Sequence, residues 1–212
     1  MSNIHVVLLG DSTLDNDAYV PANQAVINHL QRLAPSGWKA TLLAVDGSTT
    51  ETLPSQLARL PADATHLIVS VGGNDALQYS GILGLGAKSV SDVLGMLADI
   101  GEEFESDYHG MLADVLSHNL PTALCAVYYP NFPDPTLQRV STIASTIFND
   151  VIVRAAVGAG LPLIDFRPMF NDKADYANAI EPSGQGAEKI ARAVIALVTQ
   201  HDFSRRRTEV FV

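Results

Sequence analysis

Ile4-His5-Val6-Val7-Leu8-Leu9-Gly10-Asp11-Ser12-Thr13-Leu14-Asp15 is an apolar run that breaks abruptly into a glycine, an acid and two hydroxyls. Its first half has no polar alternation. That pattern belongs to a strand covered on both faces, as in a parallel sheet. Its second half is then the loop at the strand's carboxyl end. Working outward, four further runs have the same character: residues 38–45, 66–72, 121–129 and 161–165.

Helical periodicity fills the intervals. Val93, Leu97, Ile100, Phe104 and Tyr108 form one stripe. Val140, Ile143, Ile147, Val151 and Ile152 form a second, and Ile190, Val194, Leu197 and Val198 a third. Such spacing places apolar groups on one face of a helix. Pro21 stands at a favourable helix start, with residues 22–34 following. Strands alternating with helices predict right-handed crossovers and an α/β fold of three layers. The expectation is a five-stranded parallel sheet in the flavodoxin-like order 2-1-3-4-5, with helices on both faces. The whole chain reads as one domain, with residues from about 201 to 212 as a tail.

Composition narrows the function. Of 212 residues 47% are apolar and 17% charged, with a net charge of -10. An acidic surface disfavours nucleic acid and anionic membranes, which require basic faces. The single cysteine, Cys125, excludes an intrachain disulfide and reads as a core residue. The N-terminus lacks the basic segment of a signal peptide, and its apolar run is too short for a span, so a cytoplasmic location is expected. The first loop has no glycine-rich cradle with Lys or Arg, which weakens a phosphate or nucleotide reading. No cofactor is expected. Asp11, Asp15, Asp17, Asp46 and Asp75 are acidic near the expected mouth, but their spacing shows no compact metal-ligand set, so no metal is expected either.

In open parallel sheets the site lies beyond the carboxyl ends of the strands. Three loops there carry chemistry. After the first strand comes Gly10-Asp11-Ser12, with a hydroxyl placed to enter a crevice. After the second comes Asp46-Gly47-Ser48-Thr49, where a glycine lets a backbone N–H approach a ligand. After the third comes Gly72-Gly73-Asn74-Asp75, where an asparagine supplies a neutral donor. Taken singly, each is an ordinary turn or cap. Together they leave adjacent strands and converge. A hydroxyl becomes a useful nucleophile when a base takes its proton and donors hold the oxyanion that forms.

In these blocks the chain resembles the SGNH (GDSL-type) hydrolases, over nearly its whole length in strand and helix order. The resemblance implies Ser12 as nucleophile. It also implies an oxyanion hole built from the Ser12 N–H, the Gly47 N–H and the Asn74 side chain, with a small-molecule ester as substrate. The family's last block is D-x-x-H, where the histidine is the base and the aspartate orients it. Here the matching stretch reads Asn178-Ala179-Ile180-Glu181-Pro182-Ser183. Glu181 stands in the histidine's place and Asn178 in the aspartate's.

None of the six histidines is a good substitute. His5 and His66 begin strands whose other ends face the site, His201 ends the last helix, and His29, His109 and His118 fall inside or late in helices. Three readings of Glu181 stay open. It is the general base, with Asn178 holding it; or it is structural, facing the last helix; or the site binds an acyl or carbohydrate ligand without turnover. About 2 pK units separate glutamate from histidine, and burial or crowding by Asp11, Asp15 and Asp46 would close part of that gap. Tyr128, Tyr129 and Phe132, after the fourth strand, are candidates to line the acyl or leaving-group pocket. For an open crevice of this family, a small acyl ester, an acetylated sugar or a short-chain ester, is expected over a long lipid.

Overall fold

The computed structural model describes residues 4–212. Its centre is a parallel sheet in the order β2-β1-β3-β4-β5-β6. The strands are β1 (His5–Gly10), β2 (Lys39–Leu42), β3 (His66–Ser70), β4 (Thr122–Ala126), β5 (Leu163–Asp165) and β6 (Val210–Phe211). The first five follow the expected order. β1, β3 and β4 are almost wholly buried, which explains why they carry no polar alternation.

The helices are α1 (Val26–Leu33), α2 (Leu53–Leu57), α3 (Gly73–Gln78), α4 (Val90–Ser117), α5 (Pro135–Ala159), α6 (Phe166–Met169) and α7 (Gly184–Gln200). They form two layers, and each buries its stripe in a separate core. On one face, Phe104 and Tyr108 of α4 and Phe148 and Ile152 of α5 pack with Val7, Leu9 and Val69. On the other, Val26 and Leu30 of α1 and Ile190, Val194 and Leu197 of α7 pack with Val6, Leu8 and Ile68. Local chemistry sets the ends. The Asp134 and Ser183 side chains cap α5 and α7, with Pro135 at the first position of α5. α5 is long and apolar enough to cross a membrane. Its Phe148–Ile152–Ala155–Ala156 stripe is instead built into the core.

Two details differ from the expectation. The chain end, expected as a tail, returns to the sheet. Ion pairs of Arg205 with Asp202 and of Arg207 with Glu209 shape the approach, and Val210–Phe211 pairs with Leu163–Ile164 as a sixth strand. Two residues are too few to carry a periodic signal, and they cover an edge of β5 that would otherwise stand open. Helix α1 begins at Val26, not near residue 22. Asn16 reaches across to accept from the Val26 N–H at 3.0 Å, and that bond fixes where the helix starts.

Candidate active site

The carboxyl end of β1 is bound tightly to its neighbours. Gly10 has φ +133°, and a Cβ there would lie 1.7 Å from the Ser70 carbonyl oxygen, so only glycine fits. Immediately afterwards the Asp11 N–H donates to that same oxygen at 3.1 Å. Beyond it the chain turns, with Leu14 and Asp15 N–H groups donating to the Asp11 carbonyl. Ser12 is carried on this turn, 8% exposed.

Gln56 of α2 ties this turn to the next loop. Its Oε1 accepts from the Gly10 N–H at 2.8 Å, and its Nε2 donates to the Gly10 carbonyl at 2.7 Å and to Ser48 Oγ at 3.1 Å. Asn74 donates from its side-chain amide to the Ser48 carbonyl at 3.0 Å. Asp75 accepts from the Thr50 hydroxyl at 2.6 Å and from the Thr50 N–H. The loops after β1, β2 and β3 are thus bonded into one unit. Gly47 sits on its exposed side at φ +81°, the left-handed region that suits glycine. Among the described residues, neither the Ser12 N–H nor the Gly47 N–H has a hydrogen-bond partner. One Asn74 amide hydrogen is engaged by Ser48, and the other is left over.

The opposite wall is the segment joining Tyr176 to Pro182, whose ends form an antiparallel bridge. The Ala177 N–H donates to the Glu181 carbonyl, Tyr128 Oη donates to the Ile180 carbonyl at 2.6 Å, and Asn16 Nδ2 donates to the Pro182 carbonyl at 3.1 Å. This places the Glu181 carboxylate against Ser12: Ser12 Oγ donates to Glu181 Oε1 at 3.2 Å. Glu181 is 6% exposed, and its Oε2 is buried with no partner. Burial pushes its pKa above the usual glutamate value; the Ser12 hydrogen bond opposes this and nearby Asp46 adds to it.

Asn178 does not orient that carboxylate. Its Oδ1 accepts from the backbone N–H groups of Ile180 and Glu181, at 2.9 and 3.0 Å. It shapes the turn that carries Glu181, an Asx-type contact that asparagine makes locally. The expected oriented pair is therefore a carboxylate held by its backbone.

Asp11 is the other buried acid. Burial raises its carboxyl to about 7, against the lowering contact with Thr13 and with Glu181 and Asp75 adding repulsion. Asp75 is likewise raised by burial, although its Thr50 contacts oppose the shift. Asp15 and Asp46 lie toward the open side: the Asp46 N–H donates to Asp15 Oδ2 at 3.0 Å, and Tyr19 Oη donates to Asp46 Oδ2 at 2.6 Å. Among the described residues, no group of three His, Cys, Asp or Glu side chains is arranged to hold a metal ion.

Among the described residues, no histidine lines the cavity beside Ser12. His5 bonds Asp63 and Thr41, His29 contacts Arg32, and His201 pairs with Glu209. His109 and His118 are exposed on or just after α4. The cavity is about 460 Å³, opens at Ser12, Asn74 and Glu181, and runs between α3, α4 and α5. Tyr128 and Phe132 line it, as expected; Tyr129 does not, and its carbonyl instead accepts from Tyr176 Oη at 2.8 Å.

Sequence reasoning missed Gln56, Asn16 and Asn149, all buried. Asn149 brackets the exit of β4, accepting from the Val127 N–H and donating to its carbonyl, each at 2.9 Å. A signal was present: Gln56 shares a helix face with Leu53, and Asn149 with Ile152. A polar residue in an apolar stripe calls for a buried partner.

The chain matches the family model described as "GDSL-like Lipase/Acylhydrolase family" over residues 8–189. A search of curated proteins finds no match. Among solved structures, it superposes on an acetyl xylan esterase, AlAXEase, with TM-score 0.70 at 16% identity, covering 92% of this chain and 100% of that one. An extracellular lipase from Streptomyces rimosus gives TM-score 0.67 at 14% identity, covering 94% and 100%. The aryl esterase of M. smegmatis gives 0.64 at 14% identity, covering 92% and 98%. At 14–16% identity, the superpositions show a common three-layer fold. With the family match spanning most of its length, the chain belongs to the GDSL-like lipase/acylhydrolase family.

Proposed function

We propose that the protein hydrolyses carboxylic esters through a Ser12 acyl-enzyme, with Glu181 as general base. The observation that carries this reading is the 3.2 Å hydrogen bond from Ser12 Oγ to a buried glutamate that has no other side-chain partner. Ser12 Oγ attacks the ester carbonyl carbon while its proton passes to Glu181 Oε1. The Ser12 N–H, the Gly47 N–H and the free hydrogen of the Asn74 amide hold the oxyanion. Protonated Glu181 then gives its proton to the departing alcohol. In the second half, water attacks the acyl-enzyme with Glu181 again as base. The raised pKa supports the role, because it moves glutamate toward the basicity that histidine would supply. Asp11 favours the same chemistry: held neutral up to about pH 7, it adds no second negative charge beside the oxyanion below that pH.

The test is hydrolysis of p-nitrophenyl acetate. Ser12→Ala is expected to lose at least about 10³-fold in kcat/KM. Glu181→Gln is expected to lose about 10²–10³-fold and to abolish the acid limb of the pH profile, which in the wild type lies above the ordinary carboxylate range. Equal rates for wild type and Ser12→Ala would leave a site that binds its ligand without turnover.

A further inference from the structure

The structural relatives include both an acetyl xylan esterase and a lipase, so they do not choose the length of the acyl group. The cavity does. Its floor is Val127 and Phe148, and its far wall is Leu97 and Ile100 of α4 with Ile147 of α5. The two helices run side by side in parallel: the Phe104 and Phe148 rings pack at a tilt with centroids 4.8 Å apart, and Glu105 pairs with Arg154. That pairing brings the first turns of α4 beside the first turns of α5. Ile82 and Leu83, from a 3-10 turn over Ser80–Gly84, cover the remaining side.

These walls are apolar, and the charge around them is sparse. Residues 76–98 hold only Lys88 and Asp92, and residues 135–148 only Arg139, in a chain with net charge -10. Three of the large apolar side chains that stand exposed, Leu77, Leu83 and Leu137, are among the residues that line the cavity. The cavity thus opens onto an apolar rim. An exposed apolar patch continuous with a pocket marks a ligand surface. A methyl group occupies roughly the volume of one water, about 30 Å³ in the liquid. An acetyl group would therefore leave most of about 460 Å³ facing apolar walls with nothing to fill it.

We propose that the acyl group is an unbranched alkyl chain of about six to ten carbons, lodged between α3, α4 and α5. This replaces the small acyl group expected from the sequence, and it rests on the ester-hydrolase reading above. The carbonyl carbon sits at Ser12, and the first methylenes pass Gly73 and Val127. The chain then runs along the α4–α5 seam, and the alcohol leaves by the acidic side near Tyr19 and Asp46. Small residues on α5, Ser141, Ala144 and Ser145, keep the seam open.

The experiment is a chain-length profile with p-nitrophenyl esters from acetate to dodecanoate, below their critical micelle concentrations. Each buried methylene is expected to raise kcat/KM about threefold to fourfold, giving at least about a hundredfold from acetate to octanoate before a plateau. A flat or falling profile, with acetate hydrolysis still lost in Ser12→Ala, overturns the alkyl pocket and leaves the esterase intact. Ala144→Phe is expected to lower the octanoate-to-acetate ratio at least tenfold, and Ser141→Phe makes the same test one turn away. An unchanged ratio in folded variants overturns the placement. If no ester is hydrolysed, the hydrolase reading falls, and binding of the uncleaved anilides decides the pocket. Octananilide binding at least tenfold tighter than acetanilide supports it; equal affinity overturns it.

Discussion

The two walls of the site are built on different principles. The wall bearing Ser12, Gly47 and Asn74 consists of three loops joined by buried amide and hydroxyl contacts, with Gln56 at the junction. The donors it offers belong mostly to the main chain. The wall bearing Glu181 is a short antiparallel segment whose contribution to the chemistry is one side chain. A main-chain donor persists through most substitutions, whereas a side-chain base is replaced in one step. Accordingly the first wall keeps the family's pattern and the second departs from it. The departure leaves its trace in the unpartnered Oε2 of Glu181, a buried polar atom with no hydrogen bond.

The contrast can be broken in stability and activity together at Gln56. Gln56→Leu removes the acceptor for the Gly10 N–H and leaves that donor buried and unpaired. The expected cost is about 2–4 kcal/mol in urea unfolding, with activity falling as well because both loops lose their register. A stability loss below about 1 kcal/mol would mean that the loops do not depend on this junction.

Asp11→Asn tests the electrostatics of the same wall and has a sign that depends on pH. Unfolded, Asp11 ionises near 3.8; folded, it keeps its proton to about 7. The folded state therefore binds the extra proton, and stability falls as pH rises between those values, then stays level. Asparagine has no such loss. Relative to wild type, the variant is expected to gain about 3–4 kcal/mol between pH 4 and pH 8, read from thermal unfolding at both. A constant difference would show that the carboxyl ionises normally.

The smallest effect is expected on the other wall. Asn178→Ala deletes the acceptor for two turn N–H groups on a largely exposed loop. About 1 kcal/mol of stability and a few-fold in kcat/KM are expected, with an unshifted pH profile. A shifted acid limb would show instead that Asn178 acts on the Glu181 carboxylate.

The same contrast explains what could be read from sequence. The buried strands and the Gly10-Asp11-Ser12 and Gly72-Gly73-Asn74-Asp75 blocks are local, and local patterns survive in a linear text. The nearness of Glu181 to Ser12 was legible only through the resemblance, because Glu181 stands where the family's last block has its histidine. The role of Asn178 was not, since a side chain can turn to its own backbone as readily as to a neighbour. The cavity was hidden for another reason. Its walls include Leu97, Ile100 and Ile147 on the long helices α4 and α5, and in sequence they look like any core stripe. β6 was invisible because pairing over two residues leaves no period to detect.

Position 10 has one more consequence. The Ser70 carbonyl fills the space where a side chain at residue 10 would stand, and that contact is a shared origin for the two loops that carry Ser12 and Asn74. Ser12 follows Gly10 at once, and Asn74 follows Ser70 within a few residues. The separation of Ser12 from Asn74 is therefore set over a few residues of chain on either side of one contact.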